Sequence, residues 1–384
     1  MKRPHLNTTI GLTIHVISTE EGLVDLRPEW DRVFLMDPHS TVFQSWEWAF
    51  WNWSFRKVGK RLYVLAVRDS EGTLRGIAPL WVREFGLRGL VKIFEFIGTR
   101  GTDYLDFTAE PGWLEPVIES CLAHLGQEAR WNIVDLQEIR ESSPTLACLR
   151  AVPGFRDEQW VITPCSTCVR IPLPTSWDAY RAALGPSSRK RVHYEENRLR
   201  GLSPDFRVIE CQDPEFSAAI ATVQQLHQTR RAQLGDVGIF QSGPAARMNT
   251  ALLNACGKRG WTKLFLLSLD GTVVAAFSGF QFRDQLLNYT FAINPDEQWL
   301  KLSVGNVLLK RIIRWGIERS LTAVDLSRGD EHYKLRFGGI SSRNYRAVAH
   351  SSSSAALMSG AMEYVRRGLG HSPLLKRIYA ACRR

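Results

Sequence analysis

The strongest chemical signal in the chain is a run of twelve residues, Asp325-Leu-Ser-Arg-Gly-Asp-Glu-His-Tyr-Lys-Leu-Arg336. Asp325, Asp330, Glu331, His332, Tyr333, Lys334 and Arg336 gather titratable groups of both signs there. Such a set suits proton transfer to and from a reacting group, with a cation at hand to steady developing negative charge. Residues 322–327 read as a short buried strand, so the cluster falls around and just past a strand end, where α/β sheets place their chemistry. Upstream, Lys301-Leu-Ser-Val-Gly-Asn-Val307 opens a helix whose apolar residues recur at three- and four-residue intervals. The free amides at a helix start can bind phosphate oxygens; Gly305 allows close backbone approach and Lys301 adds charge.

A chain of 384 residues predicts two domains rather than one core. With 44% hydrophobic and 23% charged residues it has the make-up of a soluble globular protein, and no apolar run is long enough to span a bilayer. The start, Met1-Lys-Arg-Pro-His, lacks the apolar core of a secretory signal, so a cytoplasmic location is expected. Seven cysteines spread over the chain predict reduced thiols, including the close pair Cys165 and Cys168 on extended chain. No metal site is expected from their spacing. The net charge of +10 favours an acidic partner: a nucleotide, a phosphorylated substrate, RNA or an anionic membrane surface.

Around these residues the alternation of apolar and polar side chains predicts a strand over 12–20, then a helix over 23–36. Phe43–Phe55 reads as an aromatic helix capped by Ser45, with core packing the expected role of its stripe and a stacking or membrane-touching surface the alternative. Strands follow at 61–68, 73–83 and 93–98, a helix at 115–126 and a strand at 131–137. The second half repeats that order: strands at 264–269, 272–282 and 286–292, a helix at 304–319 and a strand at 322–327. Gly72-Thr73 matches Gly271-Thr272, and Val134-Asp-Leu136 matches Val324-Asp-Leu326. Two copies of one α/β unit are the expected architecture. Between them, Arg189, Lys190, Arg191, Arg198 and Arg200 form a basic group, followed by a helix over 216–231 and a loop over 235–243 that can border a pocket. After Ser351–Ser354 the basic tail carries interleaved apolar residues, which fits either a packed terminal helix or a peripheral contact with a membrane or partner.

No Gly-x-Gly-x-x-Gly, Walker loop, His-Glu-x-x-His or Gly-x-Ser-x-Gly occurs, so dinucleotide redox chemistry, NTP hydrolysis, zinc proteolysis and α/β-hydrolase catalysis have no local support. The run from Tyr289 to Gly339, with Ser303-Val-Gly-Asn-Val-Leu-Leu309 and Val324-Asp-Leu-Ser-Arg-Gly-Asp-Glu-His-Tyr-Lys-Leu-Arg-Phe-Gly338, resembles the GNAT-type N-acetyltransferases of the CelD/BcsL group associated with cellulose and exopolysaccharide biosynthesis. That group is similar in turn to the Fem-type aminoacyltransferases with tandem GNAT-like units. The resemblance implies an α/β (α+β) fold of two such units, each a mixed, largely antiparallel sheet flanked by helices. Expected bounds are 1–165, 166–350 for the unit with the donor site, and 351–384 for the tail.

The resemblance also implies acetyl-CoA or another acyl-CoA as co-substrate, held at Lys301, Ser303, Gly305 and Asn306, and an amine acceptor. Asp325 or Glu331 would accept the amine proton, Tyr333 would protonate the thiolate and Lys334 would stabilise negative charge. Arg189, Lys190, Arg191 and Arg230 would bind an anionic acceptor, such as a small molecule or glycan precursor. An aminoacyl-tRNA donor, as in Fem-type enzymes, is the runner-up. A catalytically silent module that binds a polysaccharide-synthesis enzyme or a membrane is the alternative from another class.

Overall fold

A computed structural model gives the fold and describes residues 11–85, 91–127, 132–151, 160–203, 205–212, 215–235, 238–240 and 243–351. The chain forms two compact units: Met1–Ser40, Lys57–Pro164 and Tyr345–Arg384 make the first, and Thr41–Arg56 with Cys165–Asn344 the second.

Unit 1 begins with β1 (Thr13–Ile17), followed by α1 (Glu20–Asp25) and α2 (Arg27–Met36) where one helix was expected. Pro28 lies in the first turn of α2, where its missing N–H costs nothing, so the helix restarts after Leu26 instead of running through. After α3 (Trp46–Arg56), which belongs to unit 2, come β2 (Lys60–Leu62), β3 (Val64–Arg68), β4 (Leu74–Ala78) and β5 (Leu80–Phe85). The strands expected at 61–68 and 73–83 are thus each cut in two. β3 and β4 pair with each other and with β1, while β2 and β5 pair in a second sheet. The cuts fall at Tyr63 and at Pro79, which cannot donate to a ladder; the Tyr63 amide donates to Leu80 O at 3.1 Å and the Ile97 amide to Pro79 O at 2.8 Å. The unit continues with β6 (Val91–Phe96), β7 (Thr108–Ala109), α4 (Leu114–Gln127), β8 (Ile133–Arg140) and α5 (Pro144–Ala151). Its sheets run β1-β3-β4-β7 and β2-β5-β6-β8. Val117, Ile118, Cys121, Leu122 and Leu125 form one stripe of α4, which packs on β1, β3, β4 and β7 and shares a core with Leu80, Phe94, Phe96 and Val134. Each large side chain so buried contributes about 1.5–3 kcal/mol.

Unit 2 contains the later part of β9 (Val161–Pro172), then α6 (Trp177–Ala183), α7 (Pro186–Leu202), β10 (Phe206–Glu210), α8 (Phe216–Gln233) and α9 (Gly243–Lys258). β11 (Thr262–Leu269), β12 (Thr272–Phe282) and β13 (Gln285–Ile293), the three strands expected here, pair as an antiparallel meander. They lead through α10 (Glu297–Lys301) and α11 (Val304–Glu318) to β14 (Ala323–Arg328), α12 (His332–Arg336) and β15 (Ile340–His350). The sheet order is β10-β11-β12-β13-β14-β9. On one face Val304, Val307, Leu308 and Ile312 of α11 cover Phe265, Phe277 and Leu286. α8 packs across β12 and β13 elsewhere in the unit, and α3 packs on α9. Trp46, Trp48 and Trp53 of α3 are buried, and Trp48 meets Phe280 and Tyr289 edge-on, each at 5.7 Å. The aromatic stripe is therefore core. Ser45 caps α3 as its sequence predicts, accepting from the Trp48 amide at 3.2 Å.

The two units repeat one arrangement. β6 and β8 are parallel strands joined through α4, with Phe94 opposite Val134 and Glu95 opposite Asp135. β13 and β14 are parallel strands joined through α11, with Leu286 opposite Val324 and Leu287 opposite Asp325. The fold is thus a mixed α/β architecture with sheets flanked by helices.

Candidate active site

The site of unit 2 grows from a parallel pair that comes apart. β13 and β14 are in register only from Gln285 and Ala323 to Leu287 and Asp325. On one side the β12–β13 register shifts between Ser278 and Gly279; on the other, the β14–β9 register shifts between Asp325 and Arg328. Past the last pair Ser327, left-handed at φ 55°, donates from Oγ to Asn288 O at 2.8 Å, so a side chain takes the place of the ladder. Its amide donates to Asp325 Oδ1 at 2.7 Å, which holds the buried Asp325 carboxylate at the point of divergence.

The start of α11 faces this opening. Ser303, its N-cap, is left-handed at φ 56° and makes no capping bond with its side chain. A non-glycine residue in that conformation costs about 1–2 kcal/mol, and such strain concentrates at functional sites. A cavity of about 280 Å³ lies here, with Phe291, Ile293, Trp299 and Leu300 as its apolar wall and Ser303, Asn306 and Tyr333 as its polar rim. Val304 and Gly305 complete the lining. Four predicted residues, Ser303, Gly305, Asn306 and Tyr333, thus meet in one hollow. Gly305 has a packing reason as well: a Cβ there would stand 2.6 Å from Ile293 Cδ1. Asn306 donates from Nδ2 to Glu195 Oε1 at 3.2 Å.

Burial pushes the Tyr333 phenol up to about 12, and the charge of Glu331 adds to the shift. The hydroxyl therefore keeps its proton throughout the neutral range. For Glu331, burial alone would raise the carboxyl, but the hydrogen bond from Lys334 and the charges of Lys334 and Arg231 hold it below the usual range.

The other predicted residues are placed differently. Lys301 points its ammonium to Glu297 at 2.7 Å, on a mostly exposed pair outside the cavity lining. Lys334 is only 3% exposed, and its ammonium donates to Leu326 O at 3.1 Å, Arg328 O at 2.8 Å and Gly329 O at 3.2 Å, with Glu331 Oε2 at 2.9 Å. Four acceptors use up its three protons, so it clamps the turn after β14 instead of offering a free cation. Gly329, at φ 114°, is the position of that turn a side chain could not occupy. Arg189 lies on α7 and Arg230 in the last turn of α8. The side chains of Lys190 and Arg191, and the tail beyond Ser351, lie outside the described residues.

One feature escapes a linear reading. Ser278 and Thr290 are cross-strand partners, and Asn288 pairs with Gly279 one step on. Ser278 Oγ, Thr290 Oγ1 and Asn288 Oδ1 are buried without a hydrogen-bond partner among the described residues. Each such atom costs about 1–3 kcal/mol. Alternation along β12 and β13 puts Ser278 and Thr290 on the sheet face opposite to Phe277 and Phe291, hence opposite to the cavity. Asp135, the residue of the first unit that matches Asp325, is held by Arg346 in two bonds of 2.7 and 3.0 Å.

Among the described residues no cluster of three or more His, Cys, Asp or Glu could hold a metal ion, and no helix is long and apolar enough to cross a membrane. Cys165 and Cys168 lie on β9 and are not joined in a disulfide, the first exposed and the second buried.

Residues 186–335 match the acetyltransferase (GNAT) domain family. No curated protein sequence matches the chain. Among solved structures, the fold is similar to that of FemX, at 11% identity and a TM-score of 0.63 over 90% of this chain and 99% of the other. It is also similar to L-PGS from Bacillus licheniformis, at 12% identity and a TM-score of 0.54 over 90% and 97% of the two chains. The C-terminal domain of a putative lysylphosphatidylglycerol synthetase from Agrobacterium fabrum gives 10% identity and 0.54 over 90% and 96%. Residues 186–335 are thus a GNAT-fold acetyltransferase domain.

Proposed function

We propose that the second unit transfers an acyl group from a coenzyme A thioester to an amine, by direct attack and without a covalent enzyme intermediate. The observation that carries this reading is the single cavity shared by the uncapped start of α11 and Tyr333. The first amides of α11 suit the donor's pyrophosphate, and the apolar wall of Phe291, Ile293, Trp299 and Leu300 suits its pantetheine and acyl chain. The donor supplies an activated carbonyl and a thiolate leaving group. The unsatisfied Ser278, Asn288 and Thr290 offer a polar wall for the acceptor on the opposite side of the divergent strands.

In this reading Asp325 or Glu331 takes the proton lost by the amine, directly or through water. As the new C–N bond forms and the C–S bond breaks, the Tyr333 hydroxyl gives its proton to the departing sulfur; its raised pKa ensures that the proton is present at neutral pH. In this reading Lys301, paired with Glu297, takes no part in holding the donor, and Lys334 clamps the turn after β14 instead of stabilising negative charge. Sequence resemblance to the CelD/BcsL group favours an amino sugar or exopolysaccharide precursor as acceptor, in the cytoplasm. A second reading, aminoacyl transfer from tRNA, draws on the +10 charge and the fold shared with FemX. Calorimetric titration with acetyl-CoA, a longer acyl-CoA and aminoacyl-tRNA separates the readings. Binding of acyl-CoA with acyl transfer to an amino sugar is the expected result; binding of tRNA alone would overturn it.

A further inference from the structure

A second cavity of about 280 Å³ opens farther along α11. Three helices of unit 2 wall it: Trp177 and Arg181 of α6, Arg189 and Glu196 of α7, and Lys310 and Arg314 of α11. Four cations face one carboxylate. That carboxylate is already engaged, accepting from Lys310 and Arg311 and, at 3.1 Å, from Arg200. Burial would raise Glu196, but these cations hold it below the usual range, so it stays an anion committed to its partners.

The remaining positive charge is not neutralised in the same way. Arg189 donates to the carbonyls of Ala182 at 2.9 Å and Leu184 at 3.0 Å, neutral groups that orient the guanidinium and leave its charge in place. Arg181 and Arg314 meet Asp178 at 3.7 Å and Glu318 at 2.8 Å in exposed pairs, which an incoming anion can outcompete. Beside them stands the Trp177 ring, stacked on Tyr180 with centroids 5.3 Å apart. Cations oriented around a hollow, with an aromatic plane at its side, suit a phosphorylated nucleoside.

The two cavities are neighbours. Asn306 lines the first, and Lys310 and Arg314 follow it at four-residue steps along one side of α11. Asn306 bonds to Glu195, and the next residue, Glu196, lines the second cavity. At a rise of 1.5 Å per residue, Lys310 lies about 7.5 Å along the axis from Gly305. That is within the reach of a nucleotide anchored by its pyrophosphate at the start of α11.

We propose that this basic cavity is the subsite for the 3′-phosphate end of the coenzyme A donor. The proposal rests on the donor reading above and extends it to α6 and α7. The test titrates coenzyme A and 3′-dephospho-coenzyme A against the wild-type protein and an R181Q/R314Q variant, whose altered side chains are exposed enough to leave the melting temperature in place. Wild type is expected to bind coenzyme A about 10- to 100-fold more tightly than the dephospho form, the worth of one or two charge-assisted bonds. The variant is expected to bind both with the weaker affinity. Equal binding of the two ligands by wild type overturns the subsite and leaves the donor reading standing; binding of neither overturns both. Loss of tRNA affinity in the variant, without loss of coenzyme A affinity, would show that the cavity serves a polynucleotide and would also overturn the proposal.

Discussion

Lys334 offers the sharpest test of how the site is built, because its sequence position suggests a catalytic cation and its surroundings argue for a clamp. Replacing it with Met keeps most of the stem volume but deletes an ammonium that serves three backbone carbonyls and Glu331. Those carbonyls belong to Leu326, Arg328 and Gly329, the turn that carries Tyr333 to the cavity. A buried acceptor left without a donor costs about 1–3 kcal/mol, although Arg328 is exposed and water can reach its carbonyl. The sum is therefore about 3–5 kcal/mol, comparable to breaking a buried ion pair. For a unit of this size that corresponds to a fall in melting temperature of roughly 10 °C. Thermal melting by circular dichroism measures it, alongside coenzyme A affinity and turnover below the transition. A variant that melts like wild type while its turnover collapses would mean that the ammonium faces the reaction, and the clamp would be wrong.

Tyr333→Phe should lower turnover by roughly a hundredfold or more, the usual worth of a positioned general acid, while leaving donor affinity near that of wild type; an unchanged rate would remove Tyr333 from the mechanism. Gly305→Leu forces a Cβ against Ile293 and narrows the cavity, so donor affinity should fall about tenfold or more, with an overpacking cost of about 1–3 kcal/mol in stability. Calorimetry showing wild-type affinity would move the donor elsewhere. In unit 1, burial raises Asp106 to about 6, against the opposing bonds from Ser143 and Thr145. A carboxyl raised in the folded state stabilises below its unfolded pKa of about 4 and loses that contribution as pH rises to about 6. Asp106→Asn should therefore gain on wild type by about 3 kcal/mol between pH 4 and pH 7; a stability difference independent of pH would show that Asp106 does not titrate there.

Local periodicity made the second unit readable. The meander, the amphipathic α11 and the short β14 follow from alternation and three-to-four spacing, and their order brings Ser303, Gly305, Asn306 and Tyr333 to one hollow. What stayed hidden depends on partners distant in sequence. Nothing local says that residues 61–68 divide between two sheets, since both halves alternate correctly for a strand. Lys334 looks like its neighbour Arg336 until the carbonyls around it are known. The unsatisfied Ser278 and Thr290 become visible only once cross-strand register sets them side by side. Glu195 and Glu196 lie within the basic run of α7 with nothing local to mark their roles; one ties α7 to Asn306, and the other gathers the cations of α11.

The way each unit borrows chain has a consequence for synthesis. Ala347 and Ala349 sit in the core of unit 1, and Arg346 neutralises its buried Asp135, yet all three are translated after the whole of unit 2. Conversely, Trp48 of unit 2 emerges from the ribosome before most of unit 1. A nascent chain released at residue 164 would hold a carboxylate without its arginine and a core missing its last strand, whereas residues 165–344 alone would lack the helix that covers Phe280. Neither half can complete itself in vectorial order, so loop closure across nearly the full length is built into folding. Premature termination should therefore yield degradation-prone chains instead of a working transferase half.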